Sequence, residues 1–392
     1  MKLCFFSAQY LPTPGGVERY TWNLARRAVA AGHKVLVVTS ALPGLPAHET
    51  DADGIEIMRL PVWPVMKGRF PVLRPGTAFA AASRAVWAWG PEFCVIQTRM
   101  YTQSVWAARG AAQRGIPALV LDHSTGYMMH GGAAGLAGRW YEHLACGIIR
   151  RCGFPFYGVS ADVCRWLQTF GIKAVGQLPN AVDPAELAAL ANDPHTMDWR
   201  ARMQLHPGQK LVAFVGRLIP EKGAGALIEA VRGQQDLALV VAGTGPEFDR
   251  LRQTAPGNVV CAGALPHHEI IALLCQADCY CLPTTYAEGF PTTLLEAAAC
   301  HCPLVCTATA GTAELMPGPD YGVLLPDAAP ETIRTALQTL LADPARCRRC
   351  ADAAYKNLCA HFTWDAVFAK MIAIAQQSCG TPQQKEPKCP NS

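Results

Sequence analysis

The sequence predicts an α/β protein built from two parallel-sheet domains. Short apolar runs alternate with helical patterns from the first residues onward, and the alternation starts again after Asn180. Strands joined by helices form parallel sheets that are covered on both faces, which explains why these runs are apolar throughout. A length of 392 residues also favours two domains, because single hydrophobic cores stop growing at about 250–300 residues.

The first half contains six strand patterns and one clear amphipathic helix. The helix covers Val17–Ala31 and is ended by Gly32, since glycine readily adopts the left-handed backbone that ends helices. The strands are predicted at Leu3–Ser7, Lys34–Thr39, Glu56–Leu60, Cys94–Gln97, Ala118–Asp122 and Phe156–Val159. The first run is short and broken by Gln9 and Pro12, which indicates a buried strand rather than a signal peptide.

The second half repeats this arrangement. Its strands are predicted at Lys210–Val215, Ala238–Ala242, Val259–Cys261, Cys279–Leu282, Leu304–Thr307 and Gly322–Leu324. Its helices are predicted at Ala224–Val231, His267–Gln276 and Thr292–Cys300, with more helices over 330–360 and an amphipathic helix at Trp364–Gln377. We place the domains at 1–180 and 181–362, a separate helix at 363–378, and a disordered Pro- and Gln-rich tail at 379–392.

Charge is distributed unevenly between the two halves. Residues 1–180 hold 18 Lys and Arg against 9 Asp and Glu, whereas the remainder holds 16 against 21. A basic half suggests an anionic partner, such as a membrane surface, a phosphorylated lipid or nucleic acid. Two domains that differ by chance explain the asymmetry equally well.

The 17 cysteines come without a signal peptide, which predicts reduced thiols and a cytoplasmic location. Many lie in apolar runs, where cysteine behaves as a small hydrophobe. No second pair at zinc-ligand spacing accompanies Cys347–Cys350, and the D-x-D pattern at Asp51–Asp53 lies in a polar turn sequence. We predict no metal site. No apolar run approaches the roughly 18 residues of a membrane-spanning helix.

The most informative chemistry comes from two glutamates, Glu288 and Glu296. Pro291 falls where a helix begins, so Glu288 precedes the helix and Glu296 lies over a turn inside it. The first N–H groups of a helix lack helical partners and favour phosphate oxygens. Here they belong to Thr292, Thr293 and Leu294. Carboxylates that accept from hydroxyls, beside a helix start that binds phosphate, suit a nucleotide-sugar.

This element resembles the E-x7-E element of the retaining family 4 glycosyltransferases, which have the GT-B fold of two Rossmann-like domains facing across a cleft. Three other segments are similar to motifs of that family, in the expected order: Gly15–Glu18, Pro179–Asp183 and Gly216–Gly223. The resemblance implies an acceptor on the first domain and a nucleotide-sugar on the second. It also implies that the last helix crosses back onto the first domain.

Arg217 and Lys222 are expected to neutralise the leaving diphosphate. Arginine offers a planar fork for phosphate and lysine a mobile charge, so the pair can stabilise departure without a metal ion. A solvated pair of loop charges is the alternative. By resemblance, Glu288 holds the sugar hydroxyls and Glu296 the ribose, with Phe290 contributing to the same donor site.

Further site residues come from both halves. Gly15 and Gly16 allow backbone to approach a ligand closely, and the resemblance implies that Gly16 contacts the donor phosphate; a tight turn is the alternative. His123 closes a strand and by resemblance contacts the donor sugar, while Asp122 either orients it or accepts from the acceptor. Gly245 lies in a run that lacks the third glycine of the dinucleotide fingerprint, and is assigned a supporting role near the nucleotide.

The stretch Pro61–Gly76 interleaves aromatic and basic residues. Trp63 and Phe70 alternate there with three cations, namely Lys67, Arg69 and Arg74. Aromatic rings settle at headgroup depth and cations meet anionic lipid, so one hypothesis is peripheral contact with the inner face of a membrane. An ordinary loop beside the acceptor is the alternative.

Together these residues predict a metal-independent, retaining hexosyltransferase that needs no cofactor beyond its UDP- or GDP-linked donor. The predicted acceptor is a glycan or a lipid-diphosphate-linked glycan, as in surface polysaccharide biosynthesis, and no nucleic acid is expected. A non-catalytic sugar-nucleotide-binding protein and a hydrolase of a glycosidic or sugar-nucleotide bond are the alternatives. His301 stands where family members commonly have glycine, which weakens any transfer of donor identity from relatives.

Overall fold

The computed structural model describes residues 1–13, 15–129, 131–286, 289–309 and 311–380, without the side chain of Lys67. The chain divides into two compact units. The first comprises residues 1–159 and 164–178 together with the chain from Phe368 onward, and the second comprises 160–163 and 179–367. The predicted disordered tail lies outside the described residues from position 381.

The first unit is built on a mostly parallel sheet. Its strands are β1 (Lys2–Phe6), β2 (Lys34–Ser40), β3 (His48–Thr50), β4 (Glu56–Leu60), β5 (Val62–Val65), β6 (Phe70–Leu73), β7 (Phe93–Gln97), β8 (Ala118–Asp122), β9 (Phe156–Gly158) and β10 (Gly176–Gln177). Its helices are α1 (Gly16–Ala30), α2 (Thr77–Ala88), α3 (Thr102–Arg114), α4 (Gly132–Arg150) and α5 (Ala161–Leu167), the last crossing the division at 163/164. The sheet order is β10-β9-β8-β7-β1-β2-β4-β3, and β3 pairs antiparallel with β4.

The second unit has a wholly parallel sheet. Its strands are β11 (Lys210–Val215), β12 (Leu237–Ala242), β13 (Val259–Gly263), β14 (Cys279–Leu282), β15 (Leu304–Thr307) and β16 (Val323–Leu325). Its helices are α6 (Pro184–Ala191), α7 (Trp199–Arg202), α8 (Ala224–Val231), α9 (Phe248–Thr254), α10 (His267–Gln276), α11 (Thr292–Ala299), α12 (Thr312–Leu315), α13 (Pro330–Leu341) and α14 (Pro344–His361). The last helix, α15 (Trp364–Gly380), begins in this unit and continues in the first. The sheet order is β13-β12-β11-β14-β15-β16.

The α/β prediction is confirmed, because the predicted strands and helices appear within one to three residues of their expected ends. The stretch Pro61–Gly76, for which an ordinary loop was the alternative to a membrane contact, contains a hairpin in which β5 and β6 pair antiparallel. Pro291 is the residue before α11 and not its first helical residue. None of the described helices combines the length and hydropathy needed to cross a membrane.

The strand order places candidate ligand sites at one edge of each sheet. In the first sheet β1 lies between β2 and β7, and in the second β11 lies between β12 and β14. The strand order reverses at β1 and at β11, because later strands are added on the opposite side of each. Ligands of open α/β sheets bind at the carboxyl ends of strands at such switch points. The loops after β1 and β11 are therefore the expected ligand-binding loops.

Candidate functional site

Arg217 and Lys222 lie on the loop that follows β11. The Lys222 side chain is buried, whereas Arg217 is exposed. Both cations lie over the ring of Tyr286, with 5.2 Å from Arg217 Cζ and 5.6 Å from Lys222 Nζ to the ring centroid. Burial, and secondarily the charge of Arg217, lower the pKa of Lys222 to about 8. Bringing two cations together is unfavourable, and a bound anion would relieve that repulsion.

The backbone around Lys222 is fixed by the segment that follows β14. The carbonyl of Glu221 accepts the N–H groups of Thr285 at 2.7 Å and Tyr286 at 3.2 Å. Gly223 has a φ of +78°, and a Cβ at this position would lie 2.2 Å from the carbonyl oxygen of Pro283. Only glycine fits such a contact. The loops after β11 and β14 therefore hold each other in place.

Gly243 and Gly245 serve the same loop by backbone packing. A Cβ at Gly243, whose φ is +140°, would lie 1.8 Å from the carbonyl oxygen of Gly216, and a Cβ at Gly245 would lie 2.4 Å from that of Leu218. The N–H of Leu218 donates to the carbonyl of Thr244 at 2.8 Å. The supporting role predicted for Gly245 thus has a structural basis, while its contact with a nucleotide stays a prediction.

The start of α11 presents fewer open N–H groups than the sequence suggested. Thr292 is exposed, and Thr293 Oγ1 lies 2.8 Å from the hydroxyl of Tyr280. The N–H of Leu294 donates to the carbonyl of Pro291 at 3.3 Å. The expectation that this N–H lacks a partner is wrong, because it closes a turn onto Pro291, the residue before the helix. The N–H groups of Thr292 and Thr293 remain the predicted phosphate contacts.

Of the two glutamates, Glu288 lies outside the described residues, whereas Glu296 is well placed. Its side chain is 13% exposed, and its Oε1 lies 2.9 Å from Nε2 of His267, the first residue of α10. The contact engages one carboxylate oxygen, and the ribose contact of Glu296 stays a prediction. Sequence reasoning missed His267, because nothing in the sequence shows that the starts of α10 and α11 come together.

Phe290 is placed differently from its prediction as a donor contact. Its side chain is buried in the hydrophobic core of the second unit, 5.3 Å from the ring of Phe362 between centroids. Its carbonyl accepts the side-chain amide of Asn180 at 3.0 Å. The ring therefore supports the loop from beneath, and a direct contact between this ring and a donor is not what the geometry favours.

In the first unit, His123 follows β8 and is held by neighbouring polar and aromatic groups. Its Nε2 lies 2.7 Å from Gln97 Oε1, and its ring meets that of Tyr20 edge to face at 4.9 Å. Burial lowers the pKa of His123 to about 4, against a smaller opposing effect of Asp122. The imidazole is therefore neutral near pH 7, which suits hydrogen bonding to a sugar better than charge stabilisation.

Asp122 is fully buried in an ion-pair cluster. It pairs with Arg99, whose guanidinium also binds Glu142 at 3.0 Å; all three side chains are inaccessible to solvent. Asp122 Oδ1 accepts the N–H of His123 at 2.8 Å. Of the two roles predicted for Asp122, this geometry favours orienting His123. Contact with an acceptor is disfavoured, because both carboxylate oxygens already have protein partners. Arg99 and Glu142 gave no sequence signal.

The loop after β1 brings Gly15 and Gly16 to the start of α1. A Cβ at Gly16 would meet nothing within 4 Å, whereas a Cβ at Gly15 would lie 1.9 Å from Oε2 of Glu18. Glu18 is buried, and this burial raises the pKa of its carboxyl. The Glu18 carboxyl therefore lies against Gly15, whereas the space at Gly16 is open, and the predicted contact of Gly16 with a donor phosphate stays a prediction.

Across the described ranges, no group of three or more His, Cys, Asp or Glu side chains is arranged to hold a metal ion. The D-x-D pattern forms a turn, in which Asp51 Oδ1 accepts the N–H groups of Asp53 at 3.0 Å and Ile55 at 2.9 Å. Asp53 accepts from the indole of Trp22 at 2.7 Å. Both carboxylates thus serve local structure.

Comparison with protein families defines the class. The family model described as Glycosyltransferase Family 4 matches residues 14–186, and the model described as Glycosyl transferases group 1 matches residues 196–357. The chain belongs to family 4 of the glycosyltransferases, as the motifs predicted. It is 24% identical to the glycogen synthase of Mycobacterium tuberculosis, over 100% of this chain and 98% of that protein.

Other similar proteins agree with this class. The chain is 25% identical to a GDP-mannose-dependent alpha-mannosyltransferase of Corynebacterium glutamicum, over 96% of this chain and 91% of that one. Sucrose-phosphate synthase from Thermosynechococcus elongatus superposes with a TM-score of 0.72 at 21% identity, covering 96% and 98% of the two chains. Anabaena HepE in complex with UDP gives 0.73 at 18% identity, covering 96% and 100%. The predicted GT-B fold is confirmed.

Proposed function

We propose that this glycosyltransferase moves a hexose from a UDP- or GDP-sugar to a hydroxyl group, keeps the anomeric configuration and needs no metal ion. The proposed acceptor is a glycan or a lipid-diphosphate-linked glycan in surface polysaccharide biosynthesis. The proposed location is cytoplasmic, at the inner face of a membrane, with the Pro61–Gly76 hairpin as one contact. No other cofactor and no nucleic acid take part.

The observation that carries the proposal is the pair of cations on the loop after β11. Lys222 is buried beside Arg217, and both lie over Tyr286. A solvated pair of loop charges would have the lysine exposed. A buried lysine beside an arginine concentrates positive charge on one loop, which supports a diphosphate bound between this loop and the start of α11.

The proposed reaction breaks the bond between the anomeric carbon and the diphosphate oxygen. Arg217 and Lys222 stabilise the negative charge that develops on that oxygen, and electrostatic groups aimed at developing charge are often the largest contribution to catalysis. The acceptor oxygen bonds to the anomeric carbon on the same face, and its proton passes to the leaving diphosphate. Glu288 is proposed to hold the sugar hydroxyls, Glu296 the ribose, and His123 the sugar.

The donor half of this proposal is tested by thermal unfolding in the presence of UDP-, GDP- and ADP-sugars with EDTA. A ligand that binds only the folded protein raises its melting temperature by mass action. We expect a shift for one nucleotide class, which is lost in Lys222→Ala. No shift with any sugar nucleotide, on protein shown to be folded, would contradict the donor site.

The chemical half is tested with the donor so identified and a panel of lipid-diphosphate-linked glycans. The anomeric configuration of the product, read by NMR, distinguishes retention from inversion. Activity that survives EDTA supports metal independence, and activity restored only by a divalent cation would contradict it. Binding without transfer to any acceptor would favour a non-catalytic binding protein.

A further inference from the structure

We propose that the outer face of α4 docks onto an anionic phospholipid surface. The face is defined by Leu136, Trp140 and Leu144, whose side chains are 69%, 69% and 46% exposed. These residues are four positions apart and therefore lie on one face of the helix. Together with exposed Ala133 and Ala137 they form an apolar strip on the surface of the first unit. Large apolar side chains grouped on a surface mark an interaction site.

The helix cannot rotate to bury this strip, because its opposite face is fixed by packing and by charge. Cys146 and Ile149 are fully buried in the core of the first unit. Glu142 accepts from Arg99 at 3.0 Å with both side chains inaccessible to solvent, and its other oxygen accepts the N–H of Met128 at 2.8 Å. The orientation of α4 is therefore fixed, and Trp140 stays exposed on the surface of the first unit.

The charges around the strip select an anionic partner. Arg139 flanks it, Arg150 and Arg151 follow at its end, and all three are exposed. The single acidic residue of α4 is Glu142, which points inward to Arg99. An apolar face with arginine at its borders and tryptophan at its centre is the composition of helices that lie in the headgroup region of a membrane.

The neighbouring hairpin extends the same surface chemistry. Phe70 of β6 packs edge to face on Tyr141 of α4, with 5.6 Å between ring centroids. The hairpin exposes Trp63 at 49% and Val65 at 44%. The aromatic and basic stretch noted in the sequence is thus anchored to α4 through the contact of Phe70 with Tyr141.

A lipid surface fits these features better than a second copy of the chain. A two-fold contact pairs the same patch with itself, and would bring the arginines at the border of one strip close to those of the other. Like charges in such an interface are unfavourable unless anions intervene. Anionic headgroups place the opposite charge at the arginines while the acyl region accepts Trp140.

Flotation with vesicles tests the proposal on the full chain. We expect binding to vesicles of phosphatidylcholine and phosphatidylglycerol in equal amounts, with little binding to phosphatidylcholine alone and a loss at high salt. Trp140→Ser and Leu144→Gln are each expected to weaken partitioning roughly tenfold. The double variant Arg150→Gln, Arg151→Gln is expected to weaken binding to anionic vesicles specifically.

The matched control is Val175→Ser, which removes a side chain that is 61% exposed in the same unit but outside α4 and the hairpin. It is expected to float as the wild type does, and all variants are expected to keep the wild-type melting temperature. Wild type that does not float, or α4 variants that float normally, would overturn the proposal. So would a concentration-dependent dimer that dissociates in Trp140→Ser while no variant binds lipid.

Discussion

The two glycine-containing loops that leave β1 and β11 look alike in the sequence but differ in the structure. The loop after β11 requires glycine for reasons internal to the protein, since a Cβ at its Gly223 would lie 2.2 Å from the carbonyl oxygen of Pro283, and a Cβ at Gly243, which follows β12, would lie 1.8 Å from that of Gly216. On the loop after β1, a Cβ at Gly16 would meet nothing within 4 Å. The protein does not need glycine at Gly16, so any requirement there must come from a ligand.

Charge separates the two loops in the same way. The loop after β11 carries Arg217 and the buried Lys222, and both cations lie over the ring of Tyr286. The loop after β1 has the buried carboxylate of Glu18 beside Gly15. A glycine-rich turn at a helix start allows an anion to approach the backbone, and the neighbouring charges decide whether the turn favours an anion.

The largest effect is expected from removing Lys222, the buried cation of the loop after β11. Lys222→Ala should lower kcat/KM by about 10²–10³, the usual loss when one group that stabilises developing charge is removed. Lys356→Ala, an exposed lysine of α14, is the matched control and should leave kcat/KM unchanged. Steady-state kinetics with the donor identified by thermal shift gives both values. A small loss in Lys222→Ala would contradict the assignment of the donor phosphate to the loop after β11 in preference to the loop after β1.

Substituting the glycines compares the loops directly. Gly223→Ala should reduce the free energy of unfolding by about 3 kcal/mol or more, because it combines an unfavourable φ with a backbone clash. Gly16→Ala should change it by less than about 1 kcal/mol, since Gly16 is the first residue of α1 and a Cβ there would meet nothing within 4 Å. Urea unfolding measures both. If Gly16→Ala also leaves the donor KM unchanged, Gly16 is part of a tight turn and not of a phosphate site.

The ribose contact proposed for Glu296 is expected to have an intermediate effect. Glu296→Gln should raise the donor KM roughly tenfold, since it removes a charged hydrogen-bond acceptor. His267→Ala should raise it about threefold with kcat unchanged, because His267 only orients the carboxylate, and His267→Gln should restore most of the loss. His268→Ala, one position along α10, serves as control. A fall in kcat for His267→Ala would contradict a positioning role.

Without any substitution, donor affinity is expected to depend on pH through the titration of Lys222. The proposed diphosphate site needs the protonated amine, whose pKa burial lowers to about 8. Donor affinity should therefore be full below that pH and decline above it, with a KM rise of about fivefold between pH 8 and pH 9. Lys222→Arg stays charged across this range and should show no such rise. Identical pH profiles would exclude Lys222 as the titrating group.

Much of the architecture was predictable, because apolar runs and helix periodicity are local properties of the chain. The strands β4, β8, β11, β14 and β15 and the helices α8 and α10 have the predicted bounds. The hairpin of β5 and β6 was missed, because its four prolines are typical of loops rather than of strands.

The backbone at His301 is left-handed, with φ +53°, which agrees with the family preference for glycine at this position. The His301 ring stacks on Tyr355, with 3.9 Å between the ring centroids.

The sequence by itself determined the fold class and the family, and it predicts the charged residues of the proposed donor site, because each depends on residue types at short, fixed spacings. Only the tertiary structure decided which residues assist them. It placed His267 on Glu296, Tyr286 under two cations, Arg99 between Asp122 and Glu142, and the ring of Phe290 in the core. These pairs are separated by many residues along the chain, and long-range packing, which no local pattern records, brings them together.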